Sequence, residues 1–183
     1  MIAKGILNDG DSIELIDGVL VRKDRAERGG DPMSHGPGHR AAISAMQECL
    51  DGVKAAGCHV GIQLPVTLGR VQEPEPDLAV IRGRPKDFSK RHPGPADIVA
   101  LIEVADSSLN VDRTTKLRLY ANAAIAVYWI VNLVDRQVEV YEDPRPGEGE
   151  YRRHTDYKVN QTVVLSVAAG VDVVVPVAAV LPA

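Results

Sequence analysis

With 183 residues, 45% of them hydrophobic, the chain is long enough to bury one sizeable core and too short to expect two, so a single domain over residues 1–183 is expected. The net charge of -4 excludes a strong, sequence-blind grip on DNA unless positive charge is gathered locally or a bound cation offsets the acidity. No apolar run approaches the roughly 18 residues of a membrane span, and the N-terminus lacks the order of a signal peptide, so a cytoplasmic protein without a membrane partner is expected.

The clearest local signal comes first: Ile13 to Ile16 and Val19 to Arg22 flank Asp17-Gly18, the pattern of a β-hairpin closed by a type I′ turn. Glu14 within it is either a charged residue on a solvent face or a group that reaches inward. From Lys23 to Gly38 the chain is charged, rich in Gly and Pro and without periodicity, which predicts a loop. His35 and His39 are four apart, but Gly36-Pro37-Gly38 would break the helix needed to bring both imidazoles to one metal.

Arg40 to Ala56 has the spacing of an amphipathic helix, with Ile43, Met46, Leu50 and Val53 in register and Gly57 as its stop. Cys49 and Cys58 lack CxxC spacing and are expected as reduced, buried thiols. His59 to Leu64 and Val66 to Leu68 predict a strand bent at Pro65, with Gln63 able to point towards a site. Glu73, Glu75 and Asp77 alternate, so an extended backbone would place all three on one side, unless Glu73 belongs to a proline-stiffened acidic turn.

Asp77 opens the short apolar run Leu78 to Ile81, and Ile98 to Ala105 reads as a strand buried on both faces. Glu103 near its end demands an explanation, because an ionised carboxylate in such a place must be paired, metal-bound or neutralised. If the two strands are neighbours, Asp77 and Glu103 offer two hard oxygen ligands at one end of a sheet, which suits Mg2+ or Mn2+. Between the strands lie Arg82, Arg84, Lys86, Lys90, Arg91 and His92, either a phosphate-contacting cluster beside the site or a solvated loop.

After Asp106 to Asn110 the run Val111 to Asn122 has helical spacing, with Asp112 as its N-cap. Lys116 would lie one turn in, on the same side as Asp112 and Tyr120. Ala126 to Val131 predicts a further buried strand, with Trp129 in the core and Tyr128 at its rim. Gln137 to Tyr141 and Tyr151 to Tyr157 complete a meander across a Pro/Gly-rich turn. Val163 to Leu165 and Val171 to Val177 predict short extended pieces that cover a sheet edge or pair with a second subunit.

Taken together, Glu14-Leu15-Ile16-Asp17-Gly18, His39, Pro76-Asp77-Leu78-Ala79-Val80, Glu103 to Ser108, Asp112 through Lys116 to Tyr120, and Tyr128 to Val131 resemble the Uma2-type (DUF820) endonuclease family of the PD-(D/E)XK superfamily. The resemblance implies an α/β fold with a restriction-endonuclease-like mixed β-sheet flanked by helices and an N-terminal hairpin. It further implies hydrolysis of phosphodiester bonds in DNA, with Asp77, Glu103 and Lys116 catalytic, Asp77 and Glu103 on Mg2+ or Mn2+, and Glu14, His39, Gln63, Asp112 and Tyr120 in support. One departure stands out. The superfamily pattern puts lysine two residues after the glutamate, where this chain has Ala105, so the resemblance implies that Lys116 takes that role from the following helix.

Two rival readings keep the same residues. One is a non-catalytic module that binds nucleic acid or protein, and the other is a purely structural ion pair of Glu103 with Lys116. A homodimer is expected under the nuclease reading, because two small domains can form a groove that one lacks.

Overall fold

The computed structural model of the protein describes residues 13–22 and 36–182. Asp17 (φ 52°) and Gly18 (φ 77°) both take left-handed conformations, as a type I′ turn requires, and join β1 (Ile13–Ile16) to β2 (Val19–Arg22). His35 and most of the expected 23–38 loop lie outside the described residues. Helix α1 (Pro37–Cys49) begins three residues earlier than the apolar spacing suggests, because Pro37 stands in the first turn, where its missing N–H costs nothing. Beyond Cys49 the helix tightens into a 3-10 segment (Leu50–Ala56), and Gly57 (φ 69°) ends it in the left-handed region.

Strands β3 (Cys58–Ile62), β4 (Leu78–Arg82) and β5 (Ile98–Ala105) are antiparallel neighbours. All eight residues of β5 are buried, so its apolar run is explained by cover on both faces. A helical crossover then carries the chain to β6 (Val127–Asn132), which pairs with β5 in parallel, and β7 (Gln137–Arg145) and β8 (Glu150–Lys158) extend the sheet. The spatial order is β3-β4-β5-β6-β7-β8. The crossover consists of α2 (Leu109–Val111), a π-helical turn (Asp112–Lys116) and α3 (Leu117–Asn122).

Two apolar layers sandwich this mixed sheet. One contains α1, Val80, Ile102, Val104, Trp129, Val138 and Val140, together with the antiparallel pair β9 (Thr162–Ala168) and β10 (Val171–Pro176) and the short α4 (Val177–Val180). The other contains Ala79, Leu101, Ala105, Leu119, Tyr120, Tyr128, Ile130 and Tyr141. The C-terminal strands thus pack into the apolar layer over one face of the sheet, not along its edge, because alternate residues Val163, Leu165, Val167, Val173 and Val175 all turn inward.

Three further expectations are corrected. Residues 66–68 form no strand, because the chain turns out of the sheet at Gln63 (φ 50°) and Val66 and Leu68 pack onto its face. Tyr128 is wholly buried, not at a rim. Asp112 does not cap its helix: helical backbone begins at Leu109, so Asp112 lies inside the crossover.

Candidate functional site

The register of the central strands fixes the first pair of site residues. Leu78 stands opposite Ile102, so the next positions along the antiparallel ladder are Asp77 and Glu103. The Asp77 amide donates to Glu103 Oε2 at 3.3 Å, and the Val104 amide donates to Asp77 Oδ2 at 2.9 Å. Both carboxylates therefore sit at one end of the sheet, almost out of solvent.

The crossover helix delivers the lysine. Leu117 N–H bonds to the Asp112 carbonyl, the five-residue spacing of a π-helix, and π turns are rare insertions that often accompany function. Lys116 Nζ donates to Glu103 Oε1 at 2.9 Å and lies 3.3 Å from Glu14 Oε1. One turn further on, the Tyr120 hydroxyl donates to the same Glu103 Oε1 at 2.6 Å. Asp112 is buried beside this group and accepts from Ser108 Oγ at 2.6 Å. The i, i+4 side shared by Asp112, Lys116 and Tyr120 is the side that meets the acids.

The remaining expected residues gather around Asp77. His39 Nε2 lies 3.2 Å from Asp77 Oδ2, and Gln63 Nε2 donates to Asp77 Oδ1 at 3.3 Å. The left-handed backbone of Gln63, which costs about 1 kcal/mol for a non-glycine residue, ends β3 and also ties the Gln63 amide to the Asp77 carbonyl. Glu14 is not on a solvent face. It is 3% exposed and accepts from the Glu75 amide at 2.7 Å. Glu73 is tied instead to Thr67 and His92, away from this cluster.

Of the two readings of the basic loop, the contacts of its arginines favour the solvated one. Arg82 lies at the end of β4 away from Asp77, about 17 Å along a five-residue strand, and donates to the carbonyls of Ala96 and Ile98. Arg84 pairs with Asp87, and Arg91 holds Asp97 through two bonds while stacking on Phe88. These three arginines fasten their own loop, and Arg82 does so at the far end of β4 from Asp77.

Electrostatics set the site apart. Among the described residues, four buried carboxylates, Glu14, Asp77, Glu103 and Asp112, surround one ammonium, that of Lys116, with His39 beside Asp77. Burial pushes Glu103 up to about 8; Lys116 counters that, while Asp77, Asp112 and Glu14 add to it. Burial also raises Asp112. For Asp77 burial is outweighed by His39, the Val104 amide and Lys116, which hold it well below the usual carboxylate range. Burial opposes the charge on Lys116, but Glu103, Glu14 and Asp112 outweigh it, so the ammonium stays protonated.

This donor set fits a hard divalent cation. Among the described residues, Asp77 Oδ1 and Glu103 Oε2 each take a single long 3.3 Å hydrogen bond, so these are the oxygens with coordination capacity left. A cation there would also offset the excess of negative charge that the described residues bury around Lys116.

Among the described residues a different group, Glu139, His154 and Asp156, places ligand atoms within 4.8 Å of one another. Glu139 is already saturated, however. It accepts two bonds from Arg113 (3.0 and 2.6 Å) and others from Asn132, Gln137 and Tyr141. Sequence reasoning missed this second network, because Gln137-Val138-Glu139-Val140-Tyr141 alternates like any half-exposed strand. The available signal was Arg113 beside Lys116 on a predicted helix, with no assigned partner.

The family model described as "Putative restriction endonuclease" (Uma2) matches residues 3–178. The chain belongs to the Uma2 family. No curated protein matches it. Among solved structures, a protein from Anabaena variabilis ATCC 29413, titled a "putative nuclease belonging to DUF820", superimposes with a TM-score of 0.67 at 15% identity. That match covers 97% of this chain and 94% of the other, and identity at this level speaks for a shared fold. Membership of the Uma2 family makes the protein nuclease-like.

Proposed function

We propose that this Uma2 protein hydrolyses phosphodiester bonds in DNA with Mg2+ or Mn2+ at the Asp77–Glu103 end of the sheet. The observation that carries the reading is the convergence of Asp77, Glu103 and Lys116, residues far apart in sequence, at a place where the described residues bury more carboxylates than cations. Asp77 Oδ1 and Glu103 Oε2 would hold the ion. When bound, such an ion lowers the pKa of a coordinated water and offsets charge on the scissile phosphate.

The side chains divide the remaining work. Lys116, fixed at Glu103 Oε1, orients the attacking water or neutralises charge that develops on phosphate. His39 and Gln63 hold Asp77 in one orientation, and Tyr120 does the same for Glu103. Glu14 and Asp112 keep the ammonium of Lys116 charged. The Ala105 departure is thereby accommodated, since Ala105 faces the apolar layer and Lys116 approaches Glu103 from the helix above.

The deciding experiment is a cleavage assay on supercoiled and linear DNA with Mg2+ or Mn2+, comparing wild type with Asp77→Ala. Loss of cleavage with an unchanged circular dichroism spectrum is expected, and undiminished cleavage removes the mechanism. A second reading, a non-catalytic binding module, draws on the tight Lys116–Glu103 pair, and DNA binding without cutting under any divalent ion would favour it. Two copies acting as a homodimer belong to the same proposal, and sedimentation equilibrium tests that.

A further inference from the structure

Glu103 and Glu139 occupy one transverse row of the sheet. Glu103 stands opposite Ile130, and Ile130 stands opposite Glu139, so the two glutamates are two strand spacings apart, about 10 Å. The crossover helix lies over this row and serves both. Lys116, at the end of the π turn, goes to Glu103, while Arg113, near its start, goes to Glu139.

The arrangement at Glu139 is unusually complete. Its side chain is fully buried, and both oxygens are engaged by Arg113, through Nε at 3.0 Å and a terminal nitrogen at 2.6 Å. The same guanidinium reaches Asp135 at 3.1 Å, and Asn132 bridges Asp135 and Glu139. A two-pronged guanidinium–carboxylate bond fixes orientation as well as distance, which a single ion pair does not. A second tie acts on the backbone itself. The Tyr128 hydroxyl, buried on β6, donates at 3.0 Å to the Asp112 carbonyl, the same oxygen that accepts the five-residue bond of the π turn.

A π turn carries one residue more than an α-helical path, so relaxing it to α-helix would rotate the flanking segments by about 100° relative to each other. Lys116 ends the turn and would swing away from Glu103. Something must hold the irregular turn in place. We infer that Glu139, acting through Arg113, and Tyr128, acting through the Asp112 carbonyl, are positioning residues that clamp the π turn to the sheet and so aim Lys116 at Glu103. The catalytic consequence rests on the nuclease reading; the placement of Lys116 does not, and the two can be tested apart.

The experiment compares wild type with Glu139→Gln/Arg113→Met and with Arg113→Lys, which keeps the charge but loses the two-pronged fork. Reductive methylation of the whole protein, with peptide mass spectrometry, reads the exposure of Lys116. In wild type it is protected. In the double variant it labels about tenfold faster, and Arg113→Lys falls between the two. In parallel, Mn2+ affinity is unchanged while kcat for DNA cleavage falls about tenfold or more with little change in KM, the pattern of a misplaced group and not of lost binding. Lys116 equally protected in both variants overturns the clamp whatever the cleavage rates show. Absence of cleavage in wild type, with faster labelling in the variants, keeps the clamp and removes the nuclease reading. If the double variant does not fold, Arg113→Lys decides alone, and wild-type labelling and wild-type kcat in that variant overturn the proposal.

Discussion

Glu103 and Glu139 lie on the same face of the same sheet, in the same row, under the same helix, yet their surroundings push them in opposite directions. Glu139 meets a guanidinium, two amides and a phenol; although burial opposes its charge, those donors bring it down to about 2. Among the described residues Glu103 shares one ammonium with three other acids, and burial takes it up to about 8. The lesson is one of stoichiometry. A buried carboxylate matched donor for donor is a structural fastening, whereas a cluster of carboxylates short of positive charge is a place for a cation to bind.

The largest tests of that contrast act on the cluster around Glu103. Asp77→Ala should lower metal-dependent cleavage by at least about a thousandfold while leaving the circular dichroism spectrum intact. Lys116→Met should cost about a hundredfold in kcat, and Glu103, already pushed up to about 8 and higher still without that ammonium, would stay neutral near pH 7 and leave the fold standing.

Opposite slopes with pH should sharpen the comparison. A buried acid whose folded pKa is raised, as for Glu103, contributes stability below its unfolded value of 4.5 and loses it as pH rises through about 8. Melting temperatures without divalent cation should therefore decline across that window, and Glu103→Gln should flatten the decline. Glu139 behaves the other way. Its contribution is present above 4.5 and is lost as pH falls towards about 2, so Glu139→Gln should flatten the acid limb instead. Slopes of the same sign at both sites would break the contrast.

Smaller effects follow from single bonds. Tyr120→Phe removes one donor from Glu103 and should cost about 1 kcal/mol by chemical denaturation. Arg118→Ala loses an exposed pair with Asp17 that ties the N-terminal hairpin to α3, and should change stability by only about 0.5 kcal/mol or less.

How much of this was legible beforehand varied with the kind of signal. The hairpin was written in Asp17-Gly18, and the central strand in eight apolar residues broken by one glutamate, because turn chemistry and burial on both faces leave local marks. Asp77 and Glu103 could be paired from their strands, and Lys116, Asp112 and Tyr120 from helical spacing. The π turn was invisible, since nothing in Asp112 to Lys116 distinguishes it from α-helix; it exists because the sheet holds it. Asp112 reads as a cap because Asp106 to Asn110 has the composition of a turn, whereas helical backbone already begins at Leu109. Glu139 escaped notice because alternation in a strand tells which residues share a face, not whether a helix covers that face. The basic loop admits two readings from composition alone, a phosphate-contacting cluster or a solvated loop, and its geometry spends the arginines on neighbouring carbonyls and aspartates.

The central claim is that the acids short of positive charge, and not the saturated ones, bind the ion. Anomalous diffraction from crystals soaked in Mn2+ tests it most directly. The account predicts a peak within coordination distance of both Asp77 and Glu103; a peak at Glu139, His154 and Asp156 with none between Asp77 and Glu103 would contradict it.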